Sequence, residues 1–308
     1  MTAIDAVVVD HRAGEHLIDC VSSLVTAGAA RIVVVDNSVP PGDSARMFAR
    51  RAEQVECSQV EILEPGLNLG YGSGANRGAA ACESELVLIC NADVVLRPDA
   101  LGELSEAIRS DGCLGIVGPL VLEPDGSRYP SARRFPDLVE AAGHALGGLM
   151  SPTNRFTRRY RMEDPLPTGA LGASTSTRAR GVSVVDWVSG SCMLVRRNAF
   201  EELGGFDESY FMYGEDVDLC WRAHRAGWRV AYVPGACVTH VRAVSTRERP
   251  YAMLAAHHRS ALRFASRSLS GPRRFALPAV AAALGMRLAV QAGRQAISGR
   301  VIRTPHAG

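Results

Sequence analysis

Lysine is absent from this sequence, so all 34 basic side chains are arginine. An absence this complete reads as a bias in base composition, and the number of arginines therefore says nothing by itself about phosphate recognition. The eight cysteines contain no Cys-x-x-Cys pair, which excludes a structural zinc knuckle or a disulfide framework and fits a reducing cytosol. No uninterrupted apolar stretch of about 18 residues is present, and the nearest approach, Phe275 to Ala292, is broken by Pro278 and Arg287; no spanning helix is expected. The opening residues lack the basic, apolar and cleavage regions of a signal peptide. Charge of one sign is also missing: the formal total is only +2 across 308 residues. With 47% hydrophobic and 21% charged residues the chain has an ordinary globular composition, enough for one large domain or a domain with a smaller appendage.

What is present alternates. Apolar runs at Ile4–Val9, Arg31–Val35, Val60–Leu63, Leu86–Cys90 and Leu114–Val117 predict strands. Between them, Leu17, Cys20, Val21, Leu24 and Val25 fall at helical spacing, a helix is expected near Ser44–Glu53, glycine-rich 68–78 leads into another, and Asp99 is placed to cap one more. Such alternation predicts an α/β fold with a mostly parallel sheet flanked by helices, whose ligands bind beyond the carboxyl ends of the strands. Asp10, Asp36, and Asn91 with Asp93, each follow an apolar run and should meet at that edge. From 119 to 181 the rhythm fails, which predicts an irregular excursion on the acceptor side of a cleft. Strands are expected again at Val182–Trp187, Cys192–Val195 and Arg229–Val233, with helices near Arg197–Leu203 and Glu215–Ala226.

Asn91-Ala92-Asp93 delivers a carboxylate at a strand end, where a hard divalent cation can share it with substrate phosphates, although strand-end aspartates also cap helices. Further along come Asp36-Asn37-Ser38, the segment Asn68–Gly78, Asp186-Trp187-Val188-Ser189-Gly190, Gly204-Gly205-Phe206-Asp207-Glu208, Tyr213-Gly214-Glu215-Asp216-Val217-Asp218 and His240. In this order they resemble the family 2 glycosyltransferases of GT-A fold, from about Ile4 to His240. Asp125–Pro136 and His257-His258-Arg259 make the chain look most like the bacterial rhamnosyltransferases of cell-wall and polysaccharide assembly.

The resemblance implies a single GT-A domain over residues 1–245 and a helical, arginine-rich C-terminal extension over 246–308. It further implies inverting transfer of a sugar, best taken as L-rhamnose from dTDP-L-rhamnose, to a hydroxyl of a glycan or polyprenyl-diphosphate-linked acceptor. Asp216 matches the catalytic base, while Asp93 and His240 match the metal ligands for Mg2+ or Mn2+. Asp10, His11, Asp36, Asn68, Asn76, Arg77, Asn91 and Ala92 fall on the nucleotide side, with Asn91 in place of the commoner aspartate. Trp187, Ser189, Gly190 and Glu215 fall on the sugar and acceptor side. From the residues alone, Trp187 equally suits a core position, and Asp218 suits the helix dipole.

Other readings stay open. Gly70-x-Gly72-x-x-Ala75 satisfies a loose dinucleotide fingerprint and would make an NAD-dependent oxidoreductase, yet Pro65–Leu69 intervene before it. A UDP-sugar donor, a sugar nucleotidyltransferase and an inactive GT-A binding module are further alternatives. Arginines 128–161 and 273–303 could meet anionic lipid or a phosphorylated substrate, or form a solvated surface. Leu277, Val280, Leu284 and Leu288 at helical intervals predict a tail resting on the inner membrane surface or packed on the domain, in a cytoplasmic protein that binds no nucleic acid.

Overall fold

The computed structural model describes residues 3–40, 42, 46–48, 50, 51, 59–135, 181–241 and 250–301. Half of the helix expected near Ser44–Glu53, residues 136–180 of the excursion expected over 119–181, and with them the arginines between 155 and 161, lie outside them.

The first half builds a parallel α/β layer. Strand β1 (Ile4–Asp10) is buried at all seven positions, as a strand covered on both faces must be. Helix α1 (Glu15–Thr26) lays Leu17, Cys20, Val21 and Leu24 against one face, where they meet Ala6 and Val8. Strands β2 (Arg31–Asp36) and β3 (Val60–Leu63) follow in parallel. Helix α2 (Tyr71–Ala79) covers the opposite face, against Val7, Val9, Val33 and Val35. Its glycines have a packing reason: a Cβ on Gly78 would lie 2.4 Å from Val7 Cγ1, so only a bare backbone fits there.

Strand β4 (Leu86–Asn91) pairs in parallel with β1, and β5 (Val94–Leu96) turns away after Asp93. Helix α3 (Ala100–Arg109) starts after Asp99, which occupies the cap position but makes no side-chain capping bond. Then come β6 (Leu114–Leu122), β7 (Arg128–Tyr129), β8 (Ala132–Arg133), β9 (Ser183–Val185), β10 (Trp187–Val188), β11 (Cys192–Arg196), α4 (Arg197–Glu202), α5 (Glu215–Arg225) and β12 (Arg229–His240). The main sheet runs β3-β2-β1-β4-β11-β6-β12-β5, with β7 on β6 and β9 on β12. Four pairings are parallel; β11 enters antiparallel between β4 and β6, so β6 and β12 still point the same way as β4. The carboxyl ends of β1, β2, β4 and β12 consequently share one edge.

Two strands run longer than their apolar runs predicted. Strand β6 continues through Pro119, and β12 continues past Pro234 and Gly235 by a shift of register between Val233 and Cys237. Proline ends a strand's ladder only where its missing N–H was needed. The extra length carries β12 to His240 and moves the start of the irregular excursion past Leu122.

The C-terminal helices are α6 (Pro250–Ser268) and α7 (Leu277–Val301), joined by a 3-10 turn at Gly271–Ala276. Helix α6 packs on the domain: Phe264 is buried against Trp221 and Phe135, and Ser260 Oγ donates to Met212 O at 3.0 Å. Arg263 and Arg267 pair with Asp207, and Arg267 also lies 3.3 Å from the fully buried Asp218. The expected break at Pro278 does not occur, because this proline sits in the first turn of α7, where its missing N–H has no partner to lose. The described residues therefore contain one helix, Gly271–Arg294, long and apolar enough to cross a membrane by length and composition, contrary to the expectation from unbroken apolar runs.

Candidate functional site

At the shared edge, Asp10 and Asp36 end neighbouring strands in register and are both buried. Asp10 Oδ1 accepts the Ala13 N–H at 3.0 Å, shaping the turn that carries His11. Asp36 accepts the Ser38 and Gly42 N–H groups at 2.9 and 2.8 Å, so each of its oxygens already holds the 38–42 turn. Asn37, beside it, donates to Gly70 O at 2.8 Å and leaves its buried Oδ1 without a partner. Asn68 Oδ1 accepts the Gly70 N–H at 2.9 Å and sets the approach to α2. Gly70 is required there: its φ is +83° and a Cβ would strike Phe211 O at 2.3 Å.

One strand further across, Asn91, Ala92 and Asp93 end β4. His240 is opposite Val94 in the register, and the Val241 N–H donates to Asp93 O at 3.0 Å, which fixes the histidine beside the aspartate. His240 Nε2 lies 3.0 Å from Asp93 Oδ1 and 3.2 Å from the Asn91 side-chain amide, with Asp93 and His240 both buried. Two ligands held at right angles about 2.1 Å from a hard cation stand about 3 Å apart, so this pair fits one octahedral edge. Among the described residues no cluster of three or more His, Cys, Asp or Glu side chains could hold a metal. A cation here would need substrate oxygens and water to fill its shell, as Mg2+ commonly does. His240 Nδ1 is buried without a partner, an outer contact that ligating histidines usually have.

Linked to this pair through the 189–191 turn is the start of α5. Tyr213 (φ 68°) and Gly214 (φ 84°) both take left-handed backbone, a costly conformation for tyrosine that turns the chain sharply into Glu215 and Asp216. Asp216 Oδ2 accepts the Gly190 N–H at 2.9 Å and Oδ1 accepts the Val217 N–H at 2.8 Å. Tyr71 donates its hydroxyl to Gly190 O, holding the next peptide of the same residue. Asn91 N–H donates to Ser191 O at 3.0 Å, so the 189–191 turn separates the Asp93 side from the Asp216 side by a few residues. Gly190 has little room for a side chain, since a Cβ would lie 3.1 Å from Asp216 Cβ.

The electrostatics of the two acids differ. Burial, reinforced by the neighbouring Asp216 charge, raises Glu215 to about 8, and its Oε2 has no hydrogen-bond partner. Loss of solvent also raises Asp216, opposed by the Gly190 and Val217 amides and by Arg133. Glu215 is thus held neutral near pH 7 while its neighbour keeps directed bonds to a carboxylate. Asp218, two residues on, pairs with Arg222 at 2.7 Å, a firmer role than the helix dipole expected for it.

Several expected contacts fall elsewhere. Trp187 is buried in the core, its indole donating to Arg134 O at 3.0 Å and its ring under the Arg133 guanidinium, so it does not face an acceptor. Ser189 is buried and bonded to Ser191. The Asn76 amide bonds the Phe206 N–H and carbonyl and reaches Glu208, tying α2 to the 204–208 turn rather than opening toward a nucleoside. Arg77 is exposed in the last turn of α2, far along the helix from Gly70. Tyr71 and Asn37, which do shape the site, were not singled out; a tyrosine between two glycines gives no sign that its hydroxyl reaches residue 190. The dinucleotide alternative also loses its footing, since β3 ends at Leu63 and six residues intervene before Gly70.

Comparison with known proteins agrees with this geometry. The model of the family described as "Glycosyltransferase like family 2" matches residues 3–263. N-acetylglucosaminyl-diphospho-decaprenol L-rhamnosyltransferase of Mycobacterium tuberculosis is 38% identical over 281 residues, covering 87% of this chain and 85% of that protein. Rhamnosyltransferase WbbL of Escherichia coli K12 is 42% identical over 180 residues, 55% of this chain and 61% of that one. Among solved structures, the mannosyltransferase PcManGT from Pyrobaculum calidifontis, in complex with GDP-Man and Mn2+, shares the fold with a TM-score of 0.58 at 14% identity, covering 98% of this chain and 80% of the other. With the sheet order, the paired acids and the matched span in agreement, the chain belongs to glycosyltransferase family 2 and has the GT-A fold.

Proposed function

We propose that this glycosyltransferase moves L-rhamnose from dTDP-L-rhamnose, with inversion, onto a hydroxyl of an N-acetylglucosamine carried on a polyprenyl diphosphate. The observation that carries the chemistry is the placing of Asp93 with His240 and Asp216 with Glu215 on either side of the 189–191 turn. The sugar and acceptor rest on the 38% identity to the mycobacterial rhamnosyltransferase, which spans most of both chains.

In this reading Asp10, Asp36 and the Asn91 amide sit at the nucleoside, and Asp93 and His240 hold Mg2+ or Mn2+ against the diphosphate. The cation would neutralise charge growing on the leaving group. Asp216 takes the acceptor proton as the hydroxyl oxygen attacks the anomeric carbon opposite the leaving diphosphate, and its raised pKa makes it a stronger base than an ordinary aspartate. Gly190 and Val217 aim that carboxylate, and neutral Glu215 spares it a second adjacent charge. A lipid-linked acceptor places the enzyme in the cytoplasm at the inner face of the membrane, bound peripherally.

The test is a screen of nucleotide sugars with a short-chain polyprenyl-diphosphate N-acetylglucosamine, with and without Mn2+. Rhamnosyl transfer from the dTDP donor, dependent on the cation, is expected. Transfer only from a UDP- or GDP-sugar would overturn the donor assignment.

A further inference from the structure

Charge is divided unevenly along the chain. Residues 1–248 carry 24 arginines against all 32 acids, a formal charge of −8, whereas the last 60 residues carry ten arginines and no acid. That basic segment also exposes its apolar side chains: Phe275 is 88% exposed, Met286 61% and Val290 37%. None of the Gly271–Arg294 window is buried. From Phe275 to Met286, through the first turns of α7, no residue is polar, and Ala279, Ala281, Ala282 and Ala283 lie on the sides that the half-buried Leu277, Val280 and Leu284 leave open. Arg287, Gln291 and Arg294 then recur at helical spacing on one face.

We infer that α7 is immersed in one leaflet of an anionic bilayer, rather than resting on its surface or crossing it. This rests on the proposed lipid-linked acceptor for its purpose and on the exposed helix for its support. A surface helix presents one apolar stripe, and this one has no polar face over its first three turns. Crossing would also carry Arg294, Arg300 and Arg303 to the far side, against the preference of arginine for the cytoplasmic side. Within one leaflet, Arg273, Arg274 and Arg294 can extend their stems upward to lipid phosphates. Helix α6, bonded to Asp207 and Asp218, then fixes the catalytic cleft at a set distance from that surface.

The test uses the full chain with vesicles of phosphatidylcholine, with and without phosphatidylglycerol. Binding is expected to favour the anionic vesicles and to fall about fivefold for each arginine removed in Arg273→Gln and Arg274→Gln. Tryptophans introduced by Phe275→Trp and Met286→Trp should both be quenched by lipids brominated on the acyl chain. The arginine variants should still glycosylate a water-soluble short-chain acceptor at the wild-type rate while losing rate on a vesicle-borne one. Absence of vesicle binding, lack of acyl-chain quenching, a C-terminus shielded from protease added outside, or a stable dimer burying α7 would each overturn the inference. Vesicle binding without any sugar transfer would count against the functional reading and leave this one standing.

Discussion

The cleft has two acidic regions built in opposite ways. Asp93 stands just past a strand end beside the His240 imidazole, which also lies against the Asn91 amide. Glu215 and Asp216 stand at a helix start, with two backbone amides as the firm contacts of Asp216 and the Arg133 charge acting on it. One region is suited to negative charge shared with a cation; the other makes negative charge difficult. Separating leaving-group stabilisation from proton removal requires that difference, because a carboxylate satisfied by a cation is a poor base.

Four changes would sharpen or break the comparison. Asp216→Asn keeps the shape and removes the base, and should lower kcat by about 1,000-fold, within the range for a positioned acid or base; a rate near wild type would remove Asp216 from the chemistry. His240→Ala should raise the Mn2+ concentration needed for half-maximal rate by about 10- to 100-fold, read from metal titrations of activity. Glu215→Gln tests the helix-start side through stability. Because folding raises Glu215 to about 8, folded protein binds more protons than unfolded protein above pH 4.5, and stability falls as pH rises toward 8. The glutamine variant should therefore gain in Tm over the wild type as pH goes from 5 to 8, and a constant difference would contradict the assigned burial. Asn76→Ala should cost about 1–3 kcal/mol in denaturant titration while leaving the KM for donor unchanged, since its amide bonds only protein groups in the 206–208 turn.

The sequence made the parallel half-sheet plain, because β1, β2 and β4 are apolar on both faces and end in polar residues. It did not show that β11 would enter antiparallel, since a four-residue apolar run looks alike in either direction. Pro119 and Pro234 concealed the true lengths of β6 and β12, and with them the path that delivers His240 to Asp93. Within the site, the metal-side pair and the acid pair were legible through family resemblance. Trp187 and Asn76 were less so, because their partners, Arg134 O and the Phe206 backbone, are backbone groups and leave no mark in a side-chain pattern. In the tail the regularly spaced leucines drew attention to one stripe, while Pro278, placed in the first turn of α7, hid a helix that runs on to Val301.

Calorimetric titration of dTDP-L-rhamnose, with and without Mn2+, into Asp93→Asn and Asp216→Asn tests the division of labour most directly. The expected result is that the position-216 variant binds donor with wild-type, Mn2+-dependent affinity and fails to turn it over, while the position-93 variant loses the Mn2+-dependent part of binding. Equal loss of donor binding in both, or none in either, would contradict a cleft in which one carboxylate serves the cation and the other the proton.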